Sequence, residues 1–358
     1  MRITFMLPYA STAGGIRVAA IYAQNLAARG HEVTVVSKRR AASPRFWQRV
    51  ARKLRKPRSR FVPKEATPQL DFLGDKHIVI DQFHPLDPDV IPDADVIIAT
   101  WWETAYAVAM LPPSKGRPFY FVQHHEVHGH LPAHISRGSY FLPLKKITIS
   151  QWLIDTMAET YGDTDVALVE NSVDLDMFQA PARPQQKRLT VGLMYATNPF
   201  KGVDVSLEAI EIARQQVPDL QVVAFGARHV SADLPLPEGS IFHHQPPQAK
   251  IRDIYASCDV WLVGSRNEGF GLPLLESMAC RTPVIATPTG ATLGLVEEGQ
   301  NGYIVPIEDA ATMAARIVDI GHMTPESWTA MSDAAHTKAQ SYTWAHATDK
   351  FEQALNTP

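Results

Sequence analysis

A chain of 358 residues is long for one hydrophobic core and comfortable for two. Hydrophobic residues make up 45 % and charged residues 20 %, which fits a large buried interior, and the formal net charge of -3 argues against a general nucleic-acid binder. The two cysteines, Cys258 and Cys280, build neither a disulfide framework nor a zinc pattern, so a reducing cytosolic compartment is expected.

The opening "RITFML" reads as a core strand. Its apolar run is too short, and too soon broken by Pro8, for a signal peptide, and no run in the chain reaches the length of a membrane span. A loop of small residues containing Gly14 and Gly15 follows. "IRVAAIYAQNLAARG" then has helical periodicity and closes at Gly30, and "HEVTVVS" reads as a second strand. The pattern predicts a right-handed parallel unit with a ligand crevice at Gly14 and Gly15, although the run is not the dinucleotide fingerprint G-x-G-x-x-G.

Residues 38–64 hold twelve basic side chains and no acid, with Phe46, Trp47, Val50 and Leu54 interleaved at helical spacing. A helix there is amphipathic and cationic, a form that lies on an anionic membrane surface. A solvated loop packed on the first domain is the competing reading, and RNA binding is less favoured.

Strands are expected at "HIVI", "DVIIAT", "PFYFVQ" and "KKITIS", and a helix at "QWLIDTMAETYG". The proline- and glutamine-rich stretch 179–188 reads as a linker. After it, strands and helices alternate afresh through "LTVGLMY", "VDVSLEAIEIARQQ", "LQVVAFG", "KIRDIYASC", "DVWLVG", "PLLESMAC", "PVIAT" and "GYIVP". Domains are therefore expected at 1–178 and 189–340, with a C-terminal helix over 341–358.

Within the second half, "EGFGLPLLE" spaces Glu268 and Glu276 around Gly269, Phe270, Gly271 and Leu272. Pro273 suits the first helical position, which places Glu276 in the first turn, its side chain leaning back toward the loop. Loop and first-turn amides lack intrahelical partners and sit at the positive end of the helix dipole. Two carboxylates that accept from hydroxyl pairs, with amide donors between them, suit a sugar nucleotide. The bland alternative is a glutamate offsetting its helix dipole and a solvated turn residue.

"SRNEGFGLPLLESMACRTPVIATPTG" resembles the donor-site signature of glycosyltransferase family 4, enzymes of the GT-B fold whose motif is written E-x7-E. The likeness extends to "GGIRVAAIYAQNLAARGHEVTVVS", "ITISQWLIDTMAETYGDTDVALVENSVDLDMF", "FKGVDVSLEAI", "NGYIVP" and "YTW". It implies an α/β protein of two Rossmann-like parallel-sheet domains facing a cleft, with the C-terminal helix crossing back to the first domain. It further implies a retaining hexosyltransferase that uses a nucleotide-sugar donor and a glycan or lipid-linked acceptor, as in bacterial cell-surface polysaccharide synthesis. By that resemblance Glu268 contacts the hexose and Glu276 the ribose. The amides of Gly269, Phe270 and Gly271, with Leu272, face the donor, and Lys201 holds the diphosphate. Gly14 and Gly15 approach donor phosphates or acceptor. His124 stands near the reacting carbon, with His125 next and Glu126 beside them on the acceptor side.

Two departures stand out. An arginine about five residues before the lysine is usual, and "MYATNPFKG" has none; Asn198 or Arg228 could take its place. Arg281 stands where glycine is general, as a surface replacement or as a residue bearing on the donor site. The histidines at 124, 125, 128, 130 and 134 are dense, but they lack the spacing of a helical zinc pair with a companion acid. The four D-x-D pairs fall in loops, where aspartates commonly cap turns, so no metal cofactor is expected. A catalytically silent sugar-nucleotide or glycan-binding subunit, or a sugar-nucleotide epimerase of the same fold, is the alternative function. The expected location is the cytoplasm or the inner membrane face.

Overall fold

The computed structural model describes residues 1–10, 14–39, 68–127 and 131–357. From residue 40 onward the basic segment lies outside the described residues, as do His128 and His130. The chain forms two compact units. One comprises Met1–Ile149, Leu153–Val169 and Thr348–Pro358, and the other Ser150–Trp152 and Glu170–Ala347.

The first unit is built on seven parallel strands: β1 (Arg2–Leu7), β2 (Glu32–Lys38), β3 (His77–Ile80), β4 (Val96–Ala99), β5 (Arg117–Val122), β6 (Lys145–Thr148) and β7 (Val166–Leu168). Their order is β3-β2-β1-β4-β5-β6-β7. The strands read as nearly unbroken apolar runs because helices cover both faces of such a sheet. Helix α1 (Gly14–Ala28) follows β1, and Gly30 ends it with a left-handed φ of 89°. Helix α2 (Trp102–Ala109) is an addition to the elements expected from sequence. Its start is built by Thr104, whose hydroxyl accepts from the amides of Thr100 and Trp101, both at 3.0 Å. Helices α3 (Ala133–Ser139) and α4 (Gln151–Tyr161) complete the set before the second unit. The last helix of the chain returns to this unit from Thr348 onward, where Phe351 stacks on Tyr22 at 4.3 Å between ring centroids.

The second unit has six parallel strands: β8 (Thr190–Met194), β9 (Gln221–Gly226), β10 (Ile241–His244), β11 (Val260–Val263), β12 (Val284–Ala286) and β13 (Gly302–Ile304), in the order β10-β9-β8-β11-β12-β13. Helices α5 (Val203–Arg214), α6 (Gln248–Ala256), α7 (Leu272–Ala279), α8 (Thr292–Leu295), α9 (Ala310–Gly321) and α10 (Pro325–Gln340) surround it, and α11 (Trp344–Asn356) closes the chain. The stretch 179–188 lies within this unit and is held there by a buried carboxylate. Asp259, fully buried, accepts from Arg183 at 3.1 Å and from the amides of Gln186 and Thr190 at 2.9 Å. The Arg183 guanidinium also lies over the Trp328 ring.

In each sheet the order reverses once, between β1 and β4 in the first unit and between β8 and β11 in the second. Connections leave in opposite directions there, so a crevice opens at the carboxyl ends of those strands. The residues that follow β1, β4, β8 and β11 are therefore the ones the topology offers to a ligand. Among the described residues, no helix is long and apolar enough to cross a membrane.

Candidate functional site

The second unit brings Lys201 and Glu268 together at its reversal point, one after β8 and the other after β11. The Lys201 ammonium donates to Glu268 Oε1 at 2.7 Å, and the Ser265 hydroxyl donates to the same oxygen at 2.8 Å. Glu268 is 9 % exposed, so the pair is largely shielded from water. Both bonds fall on one oxygen, and among the described residues Oε2 has no donor. A carboxylate oxygen so placed has the capacity to accept from a hydroxyl.

Gly202, just after Lys201, has a left-handed φ of 56°. A Cβ at this position would lie 1.8 Å from the Gly264 carbonyl oxygen at the end of β11. The lysine–glycine element is thus a close backbone crossing that admits no side chain, and it sets where Lys201 stands.

The loop between Glu268 and α7 keeps its carbonyls occupied. Gly269 O accepts from the Ser150 hydroxyl at 2.8 Å and the Trp152 indole at 3.2 Å, and Phe270 O accepts from the Ala291 amide at 2.9 Å. Gly271 takes a left-handed φ of 92° with open space around its Cα. Among the described residues nothing accepts from the amides of Gly269, Phe270, Gly271 and Leu272. Occupied carbonyls and unclaimed amides at a helix start make a receptor for negative charge or lone pairs.

The helix begins one residue earlier than the sequence reading placed it. Leu272 is its first residue, Pro273 its second, and Glu276 lies beyond the first turn, which carries no acid. The correction follows from Gly271, whose left-handed conformation starts the helix directly after it. Glu276 is 6 % exposed and accepts from the Tyr255 hydroxyl of α6 at 3.0 Å. Tyr255 was invisible as a site residue in the sequence, because "DIYASC" reads as an ordinary buried helix face.

Of the candidate replacements for the missing arginine, Asn198 and Arg228 are both exposed. Tyr195 is committed to structure: its hydroxyl donates to Leu234 O at 2.7 Å and accepts from the Ser231 amide at 2.9 Å. Arg281 lies at the far end of α7, at a left-handed φ of 63°. There it donates to Ala180 O at 3.0 Å and pairs with Asp333. Its role is to anchor neighbouring segments, and glycine suits that position for its backbone alone.

In the first unit, His124 and His125 follow β5. The Tyr140 hydroxyl accepts from the Glu126 amide at 2.8 Å and donates to His124 O at 3.1 Å, pinning the turn. His125 Nε2 meets the Tyr161 hydroxyl at 2.6 Å. His124 Nδ1 lies 3.1 Å from His125 O. A carbonyl only accepts, so in this contact the ring nitrogen is the donor. Gly14 and Gly15 open α1, and Gln123 donates to Gly15 O at 3.0 Å.

Glu126 is 3 % exposed, and its carboxylate accepts from the Trp102 amide at 2.9 Å. This bond ties Glu126 to the joint between β4 and α2. Burial pushes its carboxyl well above the usual range. The unfolded chain has an ordinary carboxylate, so the stability this group adds is complete below the unfolded pKa and is lost as pH rises through the folded one. Glu126→Gln is expected to flatten that loss. Chemical denaturation at pH values from about 4 to about 8 should show the variant gaining on wild type as pH rises. A constant gap between the two would mean that the carboxyl is not protonated in the fold.

Three D-x-D pairs are local turns: the amides of Asp89, Asp165 and Asp176 donate to the carboxylates of Asp87, Asp163 and Asp174. In the fourth, Asp93 pairs with Lys115 and Asp95 with Arg2. Among the described residues no group of three His, Cys, Asp or Glu side chains is placed to hold a metal ion.

Residues 13–177 match the family described as Glycosyltransferase Family 4, and residues 178–337 match Glycosyl transferases group 1. The chain is 30 % identical over 185 residues to a phosphatidyl-myo-inositol mannosyltransferase of Mycobacterium tuberculosis, covering 49 % of this chain and 48 % of that one. It is 29 % identical over 208 residues to a D-inositol 3-phosphate glycosyltransferase of Saccharomonospora viridis, covering 51 % and 48 %. The matches thus span about half the length of these curated relatives. A crystal structure of Anabaena HepE in complex with UDP-glucose superimposes with a TM-score of 0.73 at 17 % identity, over 99 % of both chains. That likeness concerns the fold, which is GT-B. With the two matched families running head to tail over residues 13–337, the chain belongs to the glycosyltransferases of family 4 and group 1 type.

Proposed function

We propose that the protein transfers a hexosyl group from a nucleotide-sugar donor to a glycan or lipid-linked acceptor, with retention at the anomeric carbon. The observation that carries this reading is the Lys201–Glu268 pair at the reversal point of the second sheet, beside the unclaimed amides of residues 269–272. The ammonium stabilises charge growing on a departing diphosphate, and the carboxylate and amides grip sugar hydroxyls. The bond from the anomeric carbon to the phosphate oxygen breaks, the acceptor oxygen bonds to that carbon on the same face, and its proton passes to the leaving phosphate. UDP- and ADP-bound neighbours of the same fold support a nucleotide donor.

The test is a screen of UDP-, GDP-, ADP- and dTDP-sugars for thermal stabilisation, followed by transfer or hydrolysis assays and NMR of the product anomer. Binding without turnover would favour a silent binding subunit, for which the missing arginine speaks. Inversion would sink the retaining assignment.

His124 is assigned to orienting the acceptor or the sugar. His124→Ala is expected to lower kcat by at least about tenfold and leave donor affinity within about twofold. Unchanged turnover would remove it from the reaction, and loss on His125→Ala alone would move the role by one residue.

Residues 38–64 are proposed to attach the protein to the cytoplasmic face of an anionic membrane. Wild type is expected to sediment with anionic vesicles at low salt and release at high salt. Indifference to the vesicles at low salt would leave the segment a loop.

A further inference from the structure

Arg266 lies two residues before Glu268, yet its charge goes elsewhere. Its guanidinium donates to both oxygens of Asp204, at 2.9 Å and 2.7 Å, and pairs through two nitrogens with Glu308, one bond measuring 2.9 Å. It also donates to Pro199 O. Its own amide donates to Phe200 O at 2.8 Å, and the Asn267 amide lies 3.3 Å from the same oxygen. Every one of these partners except Glu308 belongs to the turn Pro199–Lys201 or to the first turn of α5 directly after it.

Two carboxylates against one guanidinium leave this cluster with an excess negative charge. Its hydrogen bonds to the carboxylates of Asp204 and Glu308 hold the guanidinium even more firmly protonated than usual. A side chain so neutralised is poorly placed to serve as the missing second cation for a diphosphate. What the planar fork does instead is fasten one loop to another. The strand-end segment Ser265–Glu268 is tied at Arg266 to the turn that ends in Lys201. The two members of the ion pair are thus held in register from a neighbouring point.

We propose that Arg266 is a positioning residue for Lys201, setting the ammonium where the donor's diphosphate binds. The inference rests on the reading of Lys201 as the diphosphate ligand. It differs from assigning Arg266 a phosphate contact of its own, and the two ideas predict different couplings.

The experiment is calorimetric titration of UDP, GDP and ADP into the full chain, continuing with the diphosphate that binds wild type most tightly and with its parent nucleoside. Arg266→Ala is expected to weaken diphosphate binding about tenfold and leave nucleoside binding unchanged. In the Lys201→Ala background the same change is expected to cost less than about twofold more, because its effect runs through the lysine. Equal losses in both backgrounds would overturn the proposal in favour of direct contact. Equal weakening of nucleoside and diphosphate would reduce Arg266 to general structure and overturn it too. Full diphosphate affinity in Lys201→Ala would refute the lysine reading itself, a result distinct from either. Should Arg266→Ala not fold, Arg266→Lys keeps the charge but not the fork and is expected to show the same coupling. Wild-type diphosphate affinity in Arg266→Lys would count against the proposal.

Discussion

Lys201→Met is expected to lower transfer by about 10²–10³-fold, the largest loss among single substitutions in the second unit. The ammonium sits 2.7 Å from Glu268 in a largely buried setting, where charge is weakly screened. If Lys201 holds the leaving diphosphate as proposed, its contribution grows as that group gains charge, so the loss should appear in kcat more than in KM. Removing it also leaves Glu268 with only the Ser265 hydroxyl on Oε1 among the described residues. Single-turnover measurements with a donor in excess separate the chemical step from binding. Loss confined to KM would mean that Lys201 binds substrate and leaving group equally.

The second large effect is expected at Glu276. Glu276→Ala should weaken donor binding by roughly 1.5–3 kcal/mol, about one to two decades, if the carboxylate accepts from ribose hydroxyls. The structure adds a control that the sequence could not suggest. The Tyr255 hydroxyl donates to Glu276 Oε2 and fixes that carboxylate from a separate helix. Tyr255→Phe removes the fixing bond but keeps the acceptor, so its loss should be smaller, within about tenfold. A nucleotide affinity in Glu276→Ala equal to wild type would end the ribose assignment. Equal losses at Tyr255 and Glu276 would make the pair a structural unit instead.

The contrast between these residues shows what the sequence made legible. Glu268, Glu276 and the glycines between them stand out because spacing and loop chemistry are local properties, whereas Lys201 is singled out only by the family resemblance. The strands were legible for a related reason, since parallel sheets covered on both faces need apolar runs. Partners contributed by distant segments were not. Tyr255 lies 21 residues before Glu276. Glu308 lies 42 residues after Arg266. Nothing in a linear reading brings either pair together. The burial of Glu126 against Trp102 and Tyr120 is likewise a product of tertiary packing that a linear reading does not show. Strand β10 went unread because its "IFHH" run is short and polar, as an edge strand allows.

The return of the chain from Thr348 to the first unit has a consequence for synthesis on the ribosome. Phe351 is fully buried, stacked on Tyr22 and set edge-on to Phe121. Arg29 and His31 pair with Glu352, and Arg117 reaches Thr357 O. The seat for these residues is made early in translation, but its occupant emerges only after the whole second unit has been made. Until then Tyr22 and Phe121 lack the ring that packs against them in the folded chain, so their apolar surface stays open to water. The second unit can close on its own while its elder neighbour waits. A fragment cut at the boundary after Val169 would lack Phe351 altogether, and supplying residues 348–357 as a separate peptide would be the natural way to restore its contacts.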